Sequence, residues 1–381
     1  MKYNVKWLFV FLWYTSTLFS QNYPLFGPEK KVNINGLTFD AMEPFISRDG
    51  QTLFFNSLNS GGNTNLYYAT RVNDTLFNYI GLVNGCYDPT PNHLDGVASL
   101  DSSNTFYWVS LRNYPIQIEN LHKGVYSSGN VSSIKRVYGD FNIATPGWLI
   151  MDAAISHQGN LLYYCNAYFN SCAFGMPCKA RLGVAQQVND TTFNKLNLTD
   201  TVFSNVNDTN YIVYAPQVTE DGLELYFTRI LKSTVNSEIC VSVRNSTTTK
   251  FSLPVVIHSN LGFVPEAASP SVDKQKLYYH QKEASGLFRI YLRYRSSLTS
   301  IQEKYALQNF GVYPNPCGDL IGVLLPLPNT AFFITLYSYD GQLLIRSESQ
   351  TSLNVSNLKK GLYLLKLEQK GKSYTLRLIK N

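Results

Sequence analysis

Residues 47–55 read SRDGQTLFF, a tight turn followed by a strand, and close variants of this stretch recur four more times. The variants begin at Ser99, Ser156, Thr219 and Ser271, at a period of roughly 50 to 65 residues. Each copy has Ser or Thr, then a turn that usually holds Asp, Gln or Gly, then an apolar and aromatic strand. Asp-Gly in such a turn favours a hairpin because glycine adopts a positive φ at little cost. The chain is therefore an array of β-units.

The surroundings of each copy predict a four-stranded meander. An extended segment precedes each turn, a third strand follows, and in three copies a fourth strand begins at Phe77, Phe193 or Phe251. This is close to the period of a β-propeller blade. The fifth copy ends near Arg295, and residues 30–36 (KKVNING) are placed to supply its fourth strand, which would leave no unprotected edge. We therefore expect an all-β fold with a five-bladed β-propeller over residues 21–300, or a six-bladed one if one blade is too degenerate to recognise.

The first copy resembles the TolB-type, WD40-like propeller repeat in the pattern P-x-x-S-x-D-G-x-x-L-x-F, which begins at Pro44. The second and fifth copies depart from it, with Ser102-Ser103 and Lys274 in place of the glycine. The resemblance implies a propeller but no particular function, since propellers support many activities.

Residues 1–20 have the pattern of a signal peptide, with a short positive start, an apolar run and a smaller, more polar end. The apolar run is shorter than the roughly 20 residues that a membrane span needs, and no later stretch approaches that length. We expect no transmembrane segment in the mature protein. The net charge of +6 is scattered along the chain, so nucleic acid is not an expected partner.

The chain changes character after Arg295. Residues 301–309 read as a linker, and residues 310–381 read as a small antiparallel β-sandwich with hairpin turns. This segment resembles the type A C-terminal sorting domain of the type IX secretion system, and the motif residues are Tyr313, Pro314, Asn315, Pro316, Asp319, Asp340, Gly341, Gly361 and Tyr363.

The resemblance to this sorting domain implies a route for the protein. The chain would cross the periplasm of a Gram-negative bacterium, meet the type IX translocon at the outer membrane and lose the domain to the sorting peptidase. The remainder would be released or attached to the cell surface.

Four carboxylates open the first strands of their repeats: Glu43, Asp95, Asp152 and Glu266. If the blades superpose, these acids ring one mouth of the channel, where they could bind Ca²⁺. One of them could instead be held protonated and act as a general acid, as glycoside hydrolysis requires. The competing hypothesis is structural, because an acid that recurs in nearly every blade can accept backbone N–H bonds from its neighbour.

Four other residues are candidates for a functional role. Trp148 precedes Asp152 and could stack on a sugar ring, and His93 could join a site at the channel mouth. Cys172 and Cys178 flank a short loop in an exported chain, which favours a disulfide. No cysteine or histidine spacing indicates zinc.

Two functions remain open from the sequence. The first is a secreted or cell-surface module that binds an extracellular glycan or protein. The alternative is a carbohydrate-active enzyme, a glycoside hydrolase or lyase, that uses the carboxylates at the channel mouth. A structural protein of the envelope is a third, weaker hypothesis.

Overall fold

The computed structural model describes residues 23–59, 63–90, 93–172, 175–296, 311–325, 331–369 and 372–381. The expected signal peptide (1–20) and the expected linker (301–309) lie outside these residues. The chain divides into two compact units on either side of the bond between Ser296 and Ser297. No helix in the described residues has the length and apolar character needed to cross a membrane.

In the described residues of the first unit, regular secondary structure is almost all strand, with one short helix, α1 (Thr199–Val202). In chain order its strands are β1 (Phe26–Lys31), β2 (Asn33–Asn35), β3 (Met42–Ile46), β4 (Thr52–Asn56), β5 (Leu66–Asn73), β6 (Leu76–Leu82), β7 (Asp95–Leu100), β8 (Thr105–Ser110), β9 (Leu121–Ser127), β10 (Asn130–Arg136), β11 (Trp148–Ile155), β12 (Leu161–Tyr168), β13 (Lys179–Gln187), β14 (Phe193–Lys195), β15 (Tyr211–Val218), β16 (Glu224–Leu231), β17 (Asn236–Val243), β18 (Val255–Ser259), β19 (Glu266–Pro270), β20 (Lys276–Lys282) and β21 (Phe288–Arg295).

These strands form five sheets in the described part of the unit. The first four sheets are antiparallel meanders of consecutive strands: β3 to β6, β7 to β10, β11 to β14 and β15 to β18. The fifth contains β19, β20, β21 and β1. The first strand of each sheet contacts the first strand of the next, and β19 contacts β3. The five sheets therefore close into a propeller-like ring with their first strands innermost.

The ring closes by pairing the two ends of the unit. β1 pairs antiparallel with β21, and the Ser296 N–H donates to the Leu25 carbonyl at 2.8 Å. The closing strand thus begins at Phe26, upstream of the expected residues 30–36, and shares Lys30 and Lys31 with them. The chain passes to the first sheet at the buried residue Val32, and β2 pairs parallel with β6 as a fifth strand of that sheet.

The repeated turn between the first and second strands of each sheet has a hydrogen-bonded structure that explains its residue pattern. We call the first residue of this turn, Ser47 in the first copy, the corner. The Ser47 hydroxyl accepts the Thr52 N–H at 2.8 Å and donates to the Asp49 carboxylate at 2.5 Å. The same arrangement holds at Thr219 and Ser271. These side chains satisfy backbone groups that the tight turn leaves without strand partners.

The second copy is offset by two residues from the alignment that begins at Ser99. The Asp101 N–H donates to the Thr105 carbonyl, as the Ser47 N–H does to the Thr52 carbonyl. The Asp101 carboxylate also accepts the Thr105 N–H, at 2.9 Å. Asp101 therefore occupies the position that Ser or Thr holds in the other copies.

The hydrophobic core lies between neighbouring sheets. Between the first and second sheets, Phe54, Phe106 and Trp108 are fully buried and pack together. Similar clusters lie between the other neighbouring pairs. Aromatic residues in the second strands thus form contacts between sheets. This explains why an aromatic strand follows the turn in each repeat.

The second unit has two small sheets around one core. Its strands are β22 (Gly311–Tyr313), β23 (Leu320–Leu324), β24 (Phe332–Ser338), β25 (Leu343–Glu348), β26 (Ser352–Asn354), β27 (Gly361–Gln369) and β28 (Lys372–Lys380). The first sheet has the order β22-β23-β26 and the second the order β25-β24-β27-β28. Leu365 and Leu367 alternate inward from β27, as a strand with one buried face requires.

Candidate functional site

The innermost strands are irregular at the same place in each sheet. All five have a register shift where they pair with the second strand. Four have a residue with positive φ at the position four residues before the corner, namely Glu43, Val97, Ala215 and Ala267. Such bulges re-aim a side chain and turn backbone N–H groups out of the ladder, so these N–H groups need other acceptors.

The preceding sheet supplies those acceptors from its second strand. The Val97 N–H donates to the Asn56 amide oxygen at 3.4 Å, and the Ala267 N–H donates to the Thr228 hydroxyl at 3.0 Å. Around the closure of the ring, the Glu43 N–H donates to the His280 Nδ1 at 3.0 Å. These bonds join neighbouring sheets.

Asp152 replaces this acceptor at the junction of the third and fourth sheets. The position equivalent to Asn56 is Cys165 in the third sheet, and a thiol is a weak acceptor. The Ala215 N–H donates instead to the Asp152 Oδ2 at 3.1 Å. Asp152 is buried, and burial, followed by the charge of Glu266, raises its pKa to about 7 despite this hydrogen bond. Asp152 therefore joins the third sheet to the fourth through this hydrogen bond.

Glu43 and Glu266 lie near Asp152 on the axis of the ring. Burial, followed by the charges of Asp152 and Glu266, raises the pKa of Glu43 to about 8. The Asn59 side chain donates to its Oε1 at 2.9 Å. The Glu266 Oε1 accepts the Tyr214 hydroxyl at 2.5 Å. Three of the four expected acids thus interact electrostatically at the axis.

Asp95 does not join the other three acids. It lies six residues before its corner rather than four, because of the offset in the second copy, and its Oδ1 pairs with the Arg112 guanidinium at 3.0 Å. His93 is buried beside it; its Nε2 lies 2.9 Å from the Asn65 Oδ1, and its Nδ1 contacts the Thr90 carbonyl. The expected ring of four equivalent carboxylates is therefore wrong, and His93 is not part of an axial site.

The space at the axis is small. A cavity of about 20 Å³ is lined by Glu43, Asp152, Val97, Ala215 and Ala267 among other residues. A volume of this size holds about one water molecule and does not admit a sugar ring. Within the described ranges, no group of three or more His, Cys, Asp or Glu side chains is arranged to hold a metal ion.

A much larger cavity, of about 650 Å³, lies between the third and fourth sheets. We call it the sheet 3–4 groove, and its lining residues are Trp148, Lys179, Ala180, Arg181, Asp200, Ser204, Asn207, Asp208, Thr209, Tyr211 and Lys232. Trp148 and Tyr211 are the first residues of β11 and β15, eight residues before their respective corners. Two neighbouring repeats therefore place aromatic rings at equivalent positions in one groove.

Neighbouring side chains hold both rings. The Trp148 ring packs against Tyr168 with 5.3 Å between ring centroids, and the Arg229 guanidinium lies 4.4 Å from the centre of the Tyr211 ring. The Tyr114 hydroxyl also donates to the Trp148 carbonyl at 3.2 Å. Both aromatic residues are half-buried, so each keeps a surface that faces the groove.

A disulfide directly precedes β13, a strand that lines this groove. Cys172 and Cys178 are bonded, with 5.4 Å between their Cα atoms, and the Cys178 N–H donates to the Tyr168 carbonyl at 2.9 Å. Lys179 follows directly. The disulfide therefore links the residue that precedes β13, the strand that carries Lys179 and Arg181, to Cys172 after β12.

Sequence reasoning identified Trp148 but missed the rest of the groove. The signal for Tyr211 was present, because it has the same repeat position as Trp148. Lys179, Arg181 and Lys232 carried no recognisable pattern, since Lys179 and Arg181 lie on β13 and Lys232 follows β16.

The sorting motif of the second unit holds the last residues of the chain. The Asn315 side chain donates to the Arg377 carbonyl at 2.8 Å and accepts the Ile379 N–H at 2.9 Å. The Lys380 ammonium lies 2.7 Å from the Asp319 carboxylate. Asn315 and Asp319 thus fix the end of β28.

The other motif residues have conformational and structural roles. Asp340 accepts the Ser338 hydroxyl at the turn between β24 and β25, where Gly341 has a φ of +89°. Gly361 begins β27, and the Tyr363 hydroxyl donates to the Lys359 carbonyl at 2.6 Å. Tyr313 ends β22, and Pro314 and Pro316 are exposed.

Comparisons with known proteins concern the two units separately. A comparison with curated proteins found no match. Solved structures similar to the chain include a family 117 glycoside hydrolase from the marine bacterium Zobellia galactanivorans, with a TM-score of 0.46, 10% identity and coverage of 77% of this chain and 96% of that one. An α-L-arabinofuranosidase from Podospora anserina has a TM-score of 0.46 and 12% identity, with 72% and 95% coverage. A luciferin-regenerating enzyme has a TM-score of 0.41 and 10% identity, with 71% and 95% coverage.

These structural similarities are too weak to carry an argument about activity. The second unit gives a definite result, because residues 311–381 match the model described as "Secretion system C-terminal sorting domain". This agrees with the motif residues that fix the end of β28. Residues 311–381 are therefore a sorting domain, which indicates type IX export to a secreted or cell-surface location in Bacteroidetes and an interaction with the secretion machinery.

Proposed function

We propose that the first unit is a five-bladed β-propeller that binds a glycan outside the cell, and that the sheet 3–4 groove is its binding site. One observation carries this proposal: a cavity of about 650 Å³ in which Trp148 and Tyr211 occupy equivalent repeat positions. Carbohydrate rings have apolar faces that pack on aromatic side chains. The volume is within the usual range for ligand sites.

The axial carboxylates support the enzyme alternative less well. Glu43 has the raised pKa of a general acid, but the cavity beside it holds about one water molecule. Asp152 is engaged by the backbone of the next sheet. A hydrolase would need to open this cavity to a sugar before either acid could reach a glycosidic oxygen.

The export route supports an extracellular ligand. A sorting domain directs the chain to the secretion machinery, so the groove would meet its ligand at the cell surface or in the medium. We further propose that the sorting peptidase removes the domain after export, which would leave the propeller as the mature product.

The test is binding to a panel of polysaccharides by the full chain and by two variants. Trp148→Ala should weaken binding, whereas Tyr138→Ala removes an exposed aromatic side chain elsewhere on the unit and should leave binding unchanged. Binding to no polysaccharide, or equal binding by both variants and the parent, would refute the proposed site.

The enzyme alternative is tested on the same panel by measuring the release of reducing ends. Turnover that disappears in Glu43→Gln, while binding persists, would favour the hydrolase over the binding module. We expect no turnover and unchanged binding for this variant.

A further inference from the structure

The charges of the sheet 3–4 groove indicate what kind of ligand it takes. Lys179 and Arg181 are two residues apart on β13, so their side chains project from the same face. Both are exposed and both line the groove. Within the described residues, neither side chain forms a hydrogen bond or an ion pair.

The other charged side chains of the groove have partners in the protein. The Lys232 ammonium donates to the Thr209 carbonyl at 2.8 Å. Asp200 lies 3.2 Å from the Lys195 ammonium, and Asp208 accepts the Asn210 N–H at 2.8 Å. The groove thus presents two cations that form no hydrogen bond or ion pair with the described part of the protein, whereas each of its two carboxylates has one such contact.

The aromatic rings and the cations suit two parts of one ligand. The ring of Trp148 offers a flat apolar surface of the kind that packs on a pyranose face. The guanidinium of Arg181 can bind a carboxylate or a sulfate through two parallel N–H bonds, and Lys179 adds a point charge beside it. A neutral sugar would leave both cations without a partner.

We propose that the groove binds an anionic carbohydrate, a polysaccharide that bears carboxylate or sulfate groups. Trp148 packs on the sugar, and Arg181 and Lys179 bind the anion. This inference rests on the proposed function, because it assigns a ligand class to the same site. Because the two side chains project from the same face of β13, they can bind one anionic group together.

The experiment uses two matched pairs of probes with the full chain. Polygalacturonate is compared with its carboxyl-reduced form, and dextran sulfate is compared with dextran. Affinity is measured by titration calorimetry and by tryptophan fluorescence, at low and at high NaCl. We expect binding to at least one anionic probe, at least tenfold weaker binding to its neutral partner, and weaker binding at high salt.

Two double variants separate the groove from general charge attraction, since the protein is basic overall. Lys179→Gln/Arg181→Gln should weaken anionic binding by roughly tenfold or more. Lys359→Gln/Lys360→Gln removes the same charge at exposed positions in the sorting domain and should leave affinity unchanged. All four residues are exposed, so both variants should fold, which a thermal melt checks.

The outcomes distinguish this inference from the proposed function. Trp148-dependent binding that is equal for the charged and neutral probes would keep the glycan site and overturn the anionic class. Equal losses in the two double variants would also overturn it, because the attraction would then be non-specific. Binding that does not depend on Trp148 would overturn the proposed site itself. The anionic probe that binds identifies the group as carboxylate or sulfate.

Discussion

The acids at the axis should make the stability of the first unit depend on pH. The folded state holds the Glu43 proton up to a pKa of about 8, whereas the ordinary value is 4.5. Between these values the unfolded chain ionises and the folded unit does not, so stability falls as the pH rises. Below about pH 4.5 both states are protonated and the penalty is absent.

The magnitude follows from the width of this window. Each pH unit costs about 1.4 kcal/mol per proton, which gives an upper limit of roughly 5 kcal/mol for Glu43 across the whole window. Glu43 is half-buried, so solvent screening reduces the expected loss to on the order of 2 kcal/mol between pH 5 and pH 8. Asp152 acts in the same direction, with a pKa of about 7.

The assay is urea unfolding of the parent and of Glu43→Gln at pH 5, 6, 7 and 8, followed by tryptophan fluorescence. Trp108 and Trp148 both belong to the first unit. We expect the free energy of unfolding of the parent to fall with pH more steeply than that of Glu43→Gln, so that the two curves diverge by on the order of 2 kcal/mol at pH 8. Parallel curves across this range would show that Glu43 ionises at its ordinary pKa, and the reasoning from burial would be refuted.

Three further predictions concern the junctions between sheets and the sorting domain. Thr228→Val keeps the shape of the side chain but removes the acceptor of the Ala267 N–H, so it should lower the free energy of unfolding by about 1–3 kcal/mol; an unchanged denaturation midpoint would contradict this. Asn315→Ala should speed amide hydrogen exchange at Ile379, whose N–H donates to the Asn315 side chain, and unaltered protection would show that the motif does not hold the end of β28. Removal of residues 311–381 should retain the protein inside the cell, and its appearance in the medium or on the surface by fractionation would refute the sorting role.

The repeat predicts much of the fold because it reflects local chemistry. The hydroxyl and carboxylate of Ser47 and Asp49 satisfy the turn within a few residues, so the pattern is readable in one stretch of chain. The apolar strand that follows is expected to be buried between sheets, and Phe54 is fully buried there. Pairing of the two ends of the first unit also followed from counting strands, although the closing strand begins upstream of the expected segment and shares only Lys30 and Lys31 with it.

The candidate site was less predictable because its partners are distant in sequence. Asp152 accepts the Ala215 N–H, 63 residues away, at a junction where the position equivalent to Asn56 is the weak acceptor Cys165. Asp95 was placed with the other acids by an alignment that a two-residue offset makes wrong. The sheet 3–4 groove combines the starts of two inner strands with a third strand and two connecting segments, and no spacing in the sequence encodes that combination.

The closing strand also has a consequence for the order in which the protein assembles. β1 precedes the other strands of the first unit, yet its partner β21 lies more than 250 residues later. Until β21 is made, β1 has no partner in the ring. Until β1 then pairs with β21, the fifth sheet exposes the edge of β21, which can pair with other chains. Pairings of such long range form slowly. The ring is therefore completed only as the first unit is finished, and the incomplete chain is the form most exposed to aggregation.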